Sequence, residues 1–163
     1  YRFTTMDALQ LTRKALRSEA LDAVIVPTAD PYLSEYVAPS WALRAHLSGF
    51  EGSAGVLCVA TDFAVLAVDS RYWVQAEKTL VDGVELLRAE RDPLKEATAR
   101  LLKTLPAGAR VAIDARLVSH EAFEEISSVL AGVGSNSSGA TSSRGIRKSG
   151  PIGRVPSCRP FVP

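Results

Sequence analysis

Histidine and cysteine are scarce: the 163 residues hold two of each. His46 and His120 lie far apart, and neither falls at a ligand spacing such as H-x-x-x-H, so no histidine metal motif is present. Cys58 and Cys158 form neither a disulfide framework nor a zinc spacing. Cys58 sits in the apolar run AGVLCVA and reads as a small buried hydrophobe, a usage that suits a reducing compartment. No run of 18 apolar residues occurs, so the sequence predicts no membrane span and no membrane partner. No signal-peptide pattern opens the chain, and the expectation is a cytoplasmic protein.

Acidic residues are absent from 135–163, which carries five of the basic ones. Of 19 Lys and Arg and 18 Asp and Glu in the whole chain, residues 1–134 therefore keep 14 and 18, a net charge of −4. A mildly acidic body argues against a nucleic-acid partner. The nucleotide-binding signatures are missing too. The glycines of GFEGSAG, at 49, 52 and 55, do not spell G-x-G-x-x-G, and they lead into a strand instead of a helix, where amides could face a phosphate. Ser53 is not in G-x-S-x-G, because position 51 is Glu. GVGSNSSG lacks the Gly-Lys-Ser/Thr end of a P-loop. Carboxylates such as Glu121, Glu124 and Glu125 belong to a solvated helix face by their spacing.

What is there is an ordinary globular composition, 47% hydrophobic and 23% charged. Apolar spacing predicts a helix over 5–18, followed by a buried strand in LDAVIVP that ends at Pro27 and a loop through TADPY. AGVLCVA and FAVLAVD, separated by Thr61-Asp62, predict a hairpin over 55–60 and 63–68. Their near-continuous apolarity predicts that both faces are covered. A helix in SRYWVQAEKTL and a strand in VELLRAE come next. DPLKEATARLLKTLP predicts a helix capped by Asp92 with Pro93 at its first position. ARVAID is then a strand, and SHEAFEEISSVLAGVG a helix capped by Ser119. The order helix, strand, hairpin, helix, strand, helix, strand, helix gives an α/β fold with a mixed sheet flanked by helices over 1–134. Residues 135–163, rich in Ser, Gly, Pro and Arg, are expected to form an irregular tail or sequence not native to the fold.

One pattern is more specific. DAVIVPTADPYLSEYVAP, RAHLSGFEGSAG and VDSRYWVQA follow one another in an order and spacing that resemble the N-terminal domain of Xaa-Pro aminopeptidases of the creatinase and prolidase family. The likeness is to the cytosolic eukaryotic type and covers roughly 5–131. The sequence departs from the family pattern at Ser70, where Gly is usual, and at Tyr32 and His46.

The resemblance implies a ribonuclease-H-like α/β layer without catalytic residues of its own. It implies a metal-dependent peptidase that releases the first residue of peptides with proline in second position. The two divalent metals, manganese in the family, sit on a separate catalytic domain, so the chain itself needs no cofactor and is expected to be inactive alone. The implied partners are that catalytic domain or a second subunit and, in the whole enzyme, a proline-containing peptide.

Recognition of a peptide N-terminus calls for a carboxylate to pair the α-ammonium. Glu35, beside a short helical SEY segment, is the candidate. Arg71 is expected to open a helix directly after a strand, where the helix dipole disfavours a cation, so it needs a carboxylate partner: Glu35, Asp69 or a group outside the chain. Tyr36, Arg44, His46 and Tyr72 are further candidates for the substrate site. The alternative is a free-standing α/β interaction module.

Overall fold

The computed structural model describes residues 5–32, 34–106, 108–132 and 146–149. Helix α1 (Thr5–Ser18) precedes strand β1 (Ala23–Pro27). The hairpin β2 (Val56–Ala60) and β3 (Ala64–Val68) is followed by α3 (Trp73–Thr79) and β4 (Glu85–Arg88), after a helix α2 (Leu43–Ser48) inserted ahead of it. Then come α4 (Pro93–Thr104), β5 (Val111–Asp114), α5 (His120–Gly132) and β6 (Ile146–Ser149).

The strands form one sheet in the order β4-β3-β2-β1-β5-β6. β2 is antiparallel to both β1 and β3, while β3–β4, β1–β5 and β5–β6 are parallel. Five strands thus point one way and β2 the other. The carboxyl ends of β1, β3 and β5, together with the start of β2, meet along one edge of the sheet. The hairpin register is set by Val56 opposite Ala67 and Val59 opposite Ala64, with Ala60 donating to the Phe63 carbonyl across the turn.

The mixed sheet and its flanking helices agree with the sequence expectation, and the strand alternation explains why those runs are apolar throughout. Val24, Val26, Leu57, Val59, Leu66 and Val68 face Leu9, Leu16 and Leu47 from α1 and α2. Ala23, Ile25, Cys58, Val65, Ala67 and Ile113 face Ala97, Leu101, Ile126 and Leu130 from α4 and α5. Every residue of β2 and β3 is buried, because each face has its own helical cover. Cys58 lies deep in the second layer, where burial pushes its thiol up to about 12 and leaves it without thiolate character.

The helix caps form as expected: Asp92 accepts from the Leu94 and Lys95 amides, and Ser119 Oγ from that of Ala122. Long-range closure comes from Asp22. Its amide donates to the Arg110 carbonyl, and its Oδ2 accepts from the Arg110 amide at 2.7 Å, across 88 residues of chain.

Expectation and structure differ in places. Between the TADPY loop and the hairpin, a stretch to which no element was assigned, lie a 3-10 turn at Pro39–Trp41 and the six-residue α2. Ser34–Tyr36 bends instead of forming a helical segment, since the Asp30 carboxylate takes the Tyr32 and Ser34 amides that a helix would point elsewhere. Arg71 does not open a helix. It lies in a turn closed by the Tyr72 amide on the Asp69 carbonyl, and α3 begins at Trp73. Inside 135–163, residues 146–149 form strand β6, which pairs with β5 in parallel. The remainder of that stretch lies outside the described residues.

Candidate functional site

A groove of about 360 Å³ opens along the carboxyl edge of the sheet. Its lining runs from the end of β1 at Pro27, through Glu35, Tyr36 and Trp41, to Glu51 and Ser53 ahead of β2. The loop after β1 is shaped by Asp30, which is buried and accepts the Tyr32 amide at 2.9 Å and the Ser34 amide at 3.1 Å. That turn puts Glu35 and Tyr36 in the open, Tyr36 at 80% exposure. Thr28 fastens the other side of the loop by donating both its amide and its hydroxyl to the Gly55 carbonyl.

Arg44, which lines the groove, is buried at 4% exposure. Its guanidinium donates to the Phe50 carbonyl at 2.8 Å and the Gly52 carbonyl at 2.5 Å, and lies 4.9 Å above the Phe50 ring. Its Nε finds no partner among the described residues. Burial, partly opposed by Tyr72, brings its pKa down to about 10, which still leaves it a cation at neutral pH. Arg44 is therefore a stitch through the glycine loop, holding two carbonyls that would otherwise be buried without donors.

The loop itself needs its glycines. Gly49 closes α2 at φ +75°, where a Cβ would stand 2.6 Å from the Thr79 carbonyl oxygen. A Cβ at Gly52 would run into the Phe50 ring.

Tyr72 is half-buried. Its ring meets Phe50 edge-on at 5.7 Å, and its hydroxyl lies 2.6 Å from Ser53 Oγ. Arg71 is exposed and forks onto Asp69, Nε to Oδ1 and Nη2 to Oδ2, both at 2.9 Å. That fork holds the Asp69 carboxyl below its ordinary value and raises the Arg71 guanidinium. Of the three partners considered for Arg71, the structure supplies Asp69.

The expected site residues therefore divide. Glu35, Tyr36 and Arg44 line the groove together; Arg71, Tyr72 and His46 are not among its lining residues. His46 sits exposed in the last turn of α2. Sequence reading missed Asp30, Trp41 and the groove role of Ser53. The Asp30-Pro31 pair was the available signal for the turn, since Asp before Pro favours one. Asp114 and Arg116 were missed as well: they repeat the Asp69 fork at the end of β5, with Nη2 to Oδ2 at 2.7 Å, and place the guanidinium 5.2 Å over Trp41.

The donor chemistry does not suit the two divalent metals implied by the resemblance: among the described residues no group of three or more His, Cys, Asp or Glu could hold a metal ion. Among the described residues, likewise, no helix is long and apolar enough to cross a membrane.

A mixed α/β sheet flanked by helices, with a groove at its carboxyl edge, defines a domain of the α/β class. Residues 9–145 match the model of the Creatinase/Prolidase N-terminal domain, and the chain belongs to that family. It is 42% identical over 111 residues to Aminopeptidase P2 of Arabidopsis thaliana, covering 68% of this chain and 16% of that protein. It is 37% identical over 134 residues to the Xaa-Pro aminopeptidase ApepP of Drosophila melanogaster, covering 79% of this chain and 22% of that protein.

Among solved structures, the X-prolyl aminopeptidase of Caenorhabditis elegans, described as a cytosolic enzyme with a di-nuclear active site, superposes with a TM-score of 0.70. Sequence identity there is 25%, over 81% of this chain and 23% of that one. An Xaa-Pro aminopeptidase chain from Streptococcus pyogenes shares the fold at TM-score 0.62 and 20% identity, over 78% of this chain and 86% of that one. The chain matches the N-terminal domain of these enzymes and spans about a fifth of the length of the curated relatives named here.

Proposed function

We propose that the chain serves as the non-catalytic N-terminal domain of a metal-dependent Xaa-Pro aminopeptidase and forms part of the mouth of its substrate pocket. The observation that carries this is the groove, which the exposed Glu35 lines together with Arg44, whose guanidinium holds the glycine loop. Membership of the family and the likeness to full-length Xaa-Pro aminopeptidases support it.

In this reading Glu35 pairs the α-ammonium of a peptide whose second residue is proline, and Tyr36 covers the first residue. A charge-assisted pair at the mouth selects free N-termini over internal segments. Arg71, Tyr72 and His46 flank the groove and contribute to the site from outside its lining. The catalytic domain, in the same polypeptide or in a second subunit of a dimer, supplies two divalent metals, manganese by the family resemblance, and with them the hydrolytic chemistry. The complete enzyme works in the cytoplasm. Neither the fold nor the comparisons favour a free-standing interaction module.

The test is a Glu35→Gln substitution in a polypeptide that continues into the catalytic domain. The expected result is a raised KM for X-Pro peptides with kcat little changed, the signature of lost binding shared by ground and transition states. Wild-type KM and kcat would remove Glu35 from the pocket. This chain on its own is expected to release no residue from an Arg-Pro-Pro peptide at any metal concentration; metal-dependent release would overturn the non-catalytic assignment.

A further inference from the structure

Two Asp-x-Arg turns stand at the carboxyl ends of parallel strands on either side of the groove, and their geometries nearly coincide. After β3, Asp69 Oδ1 accepts the Arg71 amide at 3.0 Å and the carboxylate takes the Arg71 fork at 2.9 and 2.9 Å. At the end of β5, Asp114 Oδ1 accepts the Arg116 amide at 3.0 Å and the carboxylate takes the Arg116 fork at 3.1 and 2.7 Å. Each guanidinium covers one ring: Arg71 lies 5.3 Å from the centre of Tyr72, and Arg116 lies 5.2 Å from that of Trp41.

Each ring in turn belongs to one wall. Trp41 lines the groove directly, and Tyr72 reaches the wall through Ser53 at 2.6 Å. Both arginines stand outside the lining. A guanidinium whose Nε and Nη2 are already given to its own carboxylate is poorly placed to offer a bidentate fork to a ligand. It is well placed to present a flat face, because the fork fixes its plane.

Resting on the groove as the substrate mouth, we propose that Arg71 and Arg116 are positioning residues, paired clamps that set the two walls by holding Tyr72 and Trp41, and do not contact the peptide by charge. Asp69 and Asp114 are then parts of the clamps, since each fixes the plane of its arginine. Tyr72 transmits the first clamp to Ser53, and the second acts on Trp41 without an intermediary.

The experiment compares Arg71→Lys with Arg71→Gln, and Arg116→Lys with Arg116→Gln. Lysine keeps the charge but loses the fork and the flat face. In this chain, the clamps predict that both Arg71 substitutions, and Asp69→Asn, move the Ser53 amide resonance alike. Both Arg116 substitutions shift the Trp41 indole resonance while that of Trp73, anchored on the Val68 carbonyl, stays in place. In the polypeptide carrying the catalytic domain, Lys and Gln at either position raise KM equally, by about two- to fivefold, with kcat unchanged.

Lysine variants with wild-type resonances and wild-type KM, beside glutamine variants with raised KM, would overturn the proposal in favour of charge contact. Unmoved resonances in all variants would overturn the clamps outright. Moved resonances with unchanged KM would uphold the clamps and instead remove the groove from the substrate path.

Discussion

The body of the sheet and the rim of its carboxyl edge are held by different forces. In β2 and β3 every side chain is hidden, and cohesion comes from apolar surface packed on both faces by helices. Along the rim, residues 34–36 and 38–40 are exposed, and shape comes from side chains that hold backbone: Asp30 on two amides, Arg44 on two carbonyls, Thr28 on one. Burial is non-directional and scales with area. Hydrogen bonds to backbone are directional and place a few atoms precisely enough to form a groove. The difference teaches that stability and site geometry are largely separate properties in this domain and can be perturbed one at a time.

Substitution inside the sheet has the largest expected effect. Leu66→Ala, at a fully buried position, is expected to cost about 2–5 kcal/mol in urea unfolding while the groove's resonances in the folded fraction stay put. A loss below 1 kcal/mol would mean that the sheet is not the main source of stability.

A pair of glycine substitutions probes where body and rim meet. Gly83→Ala, at φ +85° with nothing within 4 Å of a new Cβ, isolates the backbone cost, roughly 1 kcal/mol. Gly49→Ala has nearly the same φ but meets the Thr79 carbonyl oxygen, so it is expected to lose at least about 1 kcal/mol more. Equal losses in thermal unfolding would show that α2 can shift away from α3 at no cost.

The smallest effect is expected on the rim itself. Tyr36→Ala, at 80% exposure, should change stability by less than about 0.5 kcal/mol, although the residue lines the groove. A larger loss in the same assay would join the two regions that the comparison separates.

The same division governs what could be read from the sequence. Helix α1, the hairpin and the Asp92 and Ser119 caps follow from periodicity and local rules, because their partners lie within a few residues or on a repeating face. Helix α2 was not legible: its six residues, LRAHLS, are too few to show a period, and its burial depends on Arg44 finding carbonyls six and eight residues on. The site was partly legible. Glu35, Tyr36 and Arg44 were singled out through the resemblance, and they share one groove. For Arg71 the sequence leaves three carboxylate partners open, and the nearest of them, Asp69, satisfies it. The two turns were written in the sequence as Val68-Asp69-Ser70-Arg71 and Ile113-Asp114-Ala115-Arg116. Nothing in a linear pattern says that β3 and β5 end on the same edge, because that depends on β2 running backwards between β3 and β1.

The Asp22–Arg110 stitch has a consequence in time. The β2–β3 hairpin closes over two residues, whereas β1 must wait for a partner strand that follows it by 88 residues. Short loops close at lower entropic cost, so the hairpin can form, and β1 can join it, long before β5 arrives. At ribosomal speed the gap is on the order of ten seconds. Throughout it, one flank of β1 offers unpaired backbone beside Val24, Ile25 and Val26. A nascent chain in that state exposes an apolar strand edge to its neighbours, and the newborn domain is most vulnerable to mispairing just before Arg110 emerges.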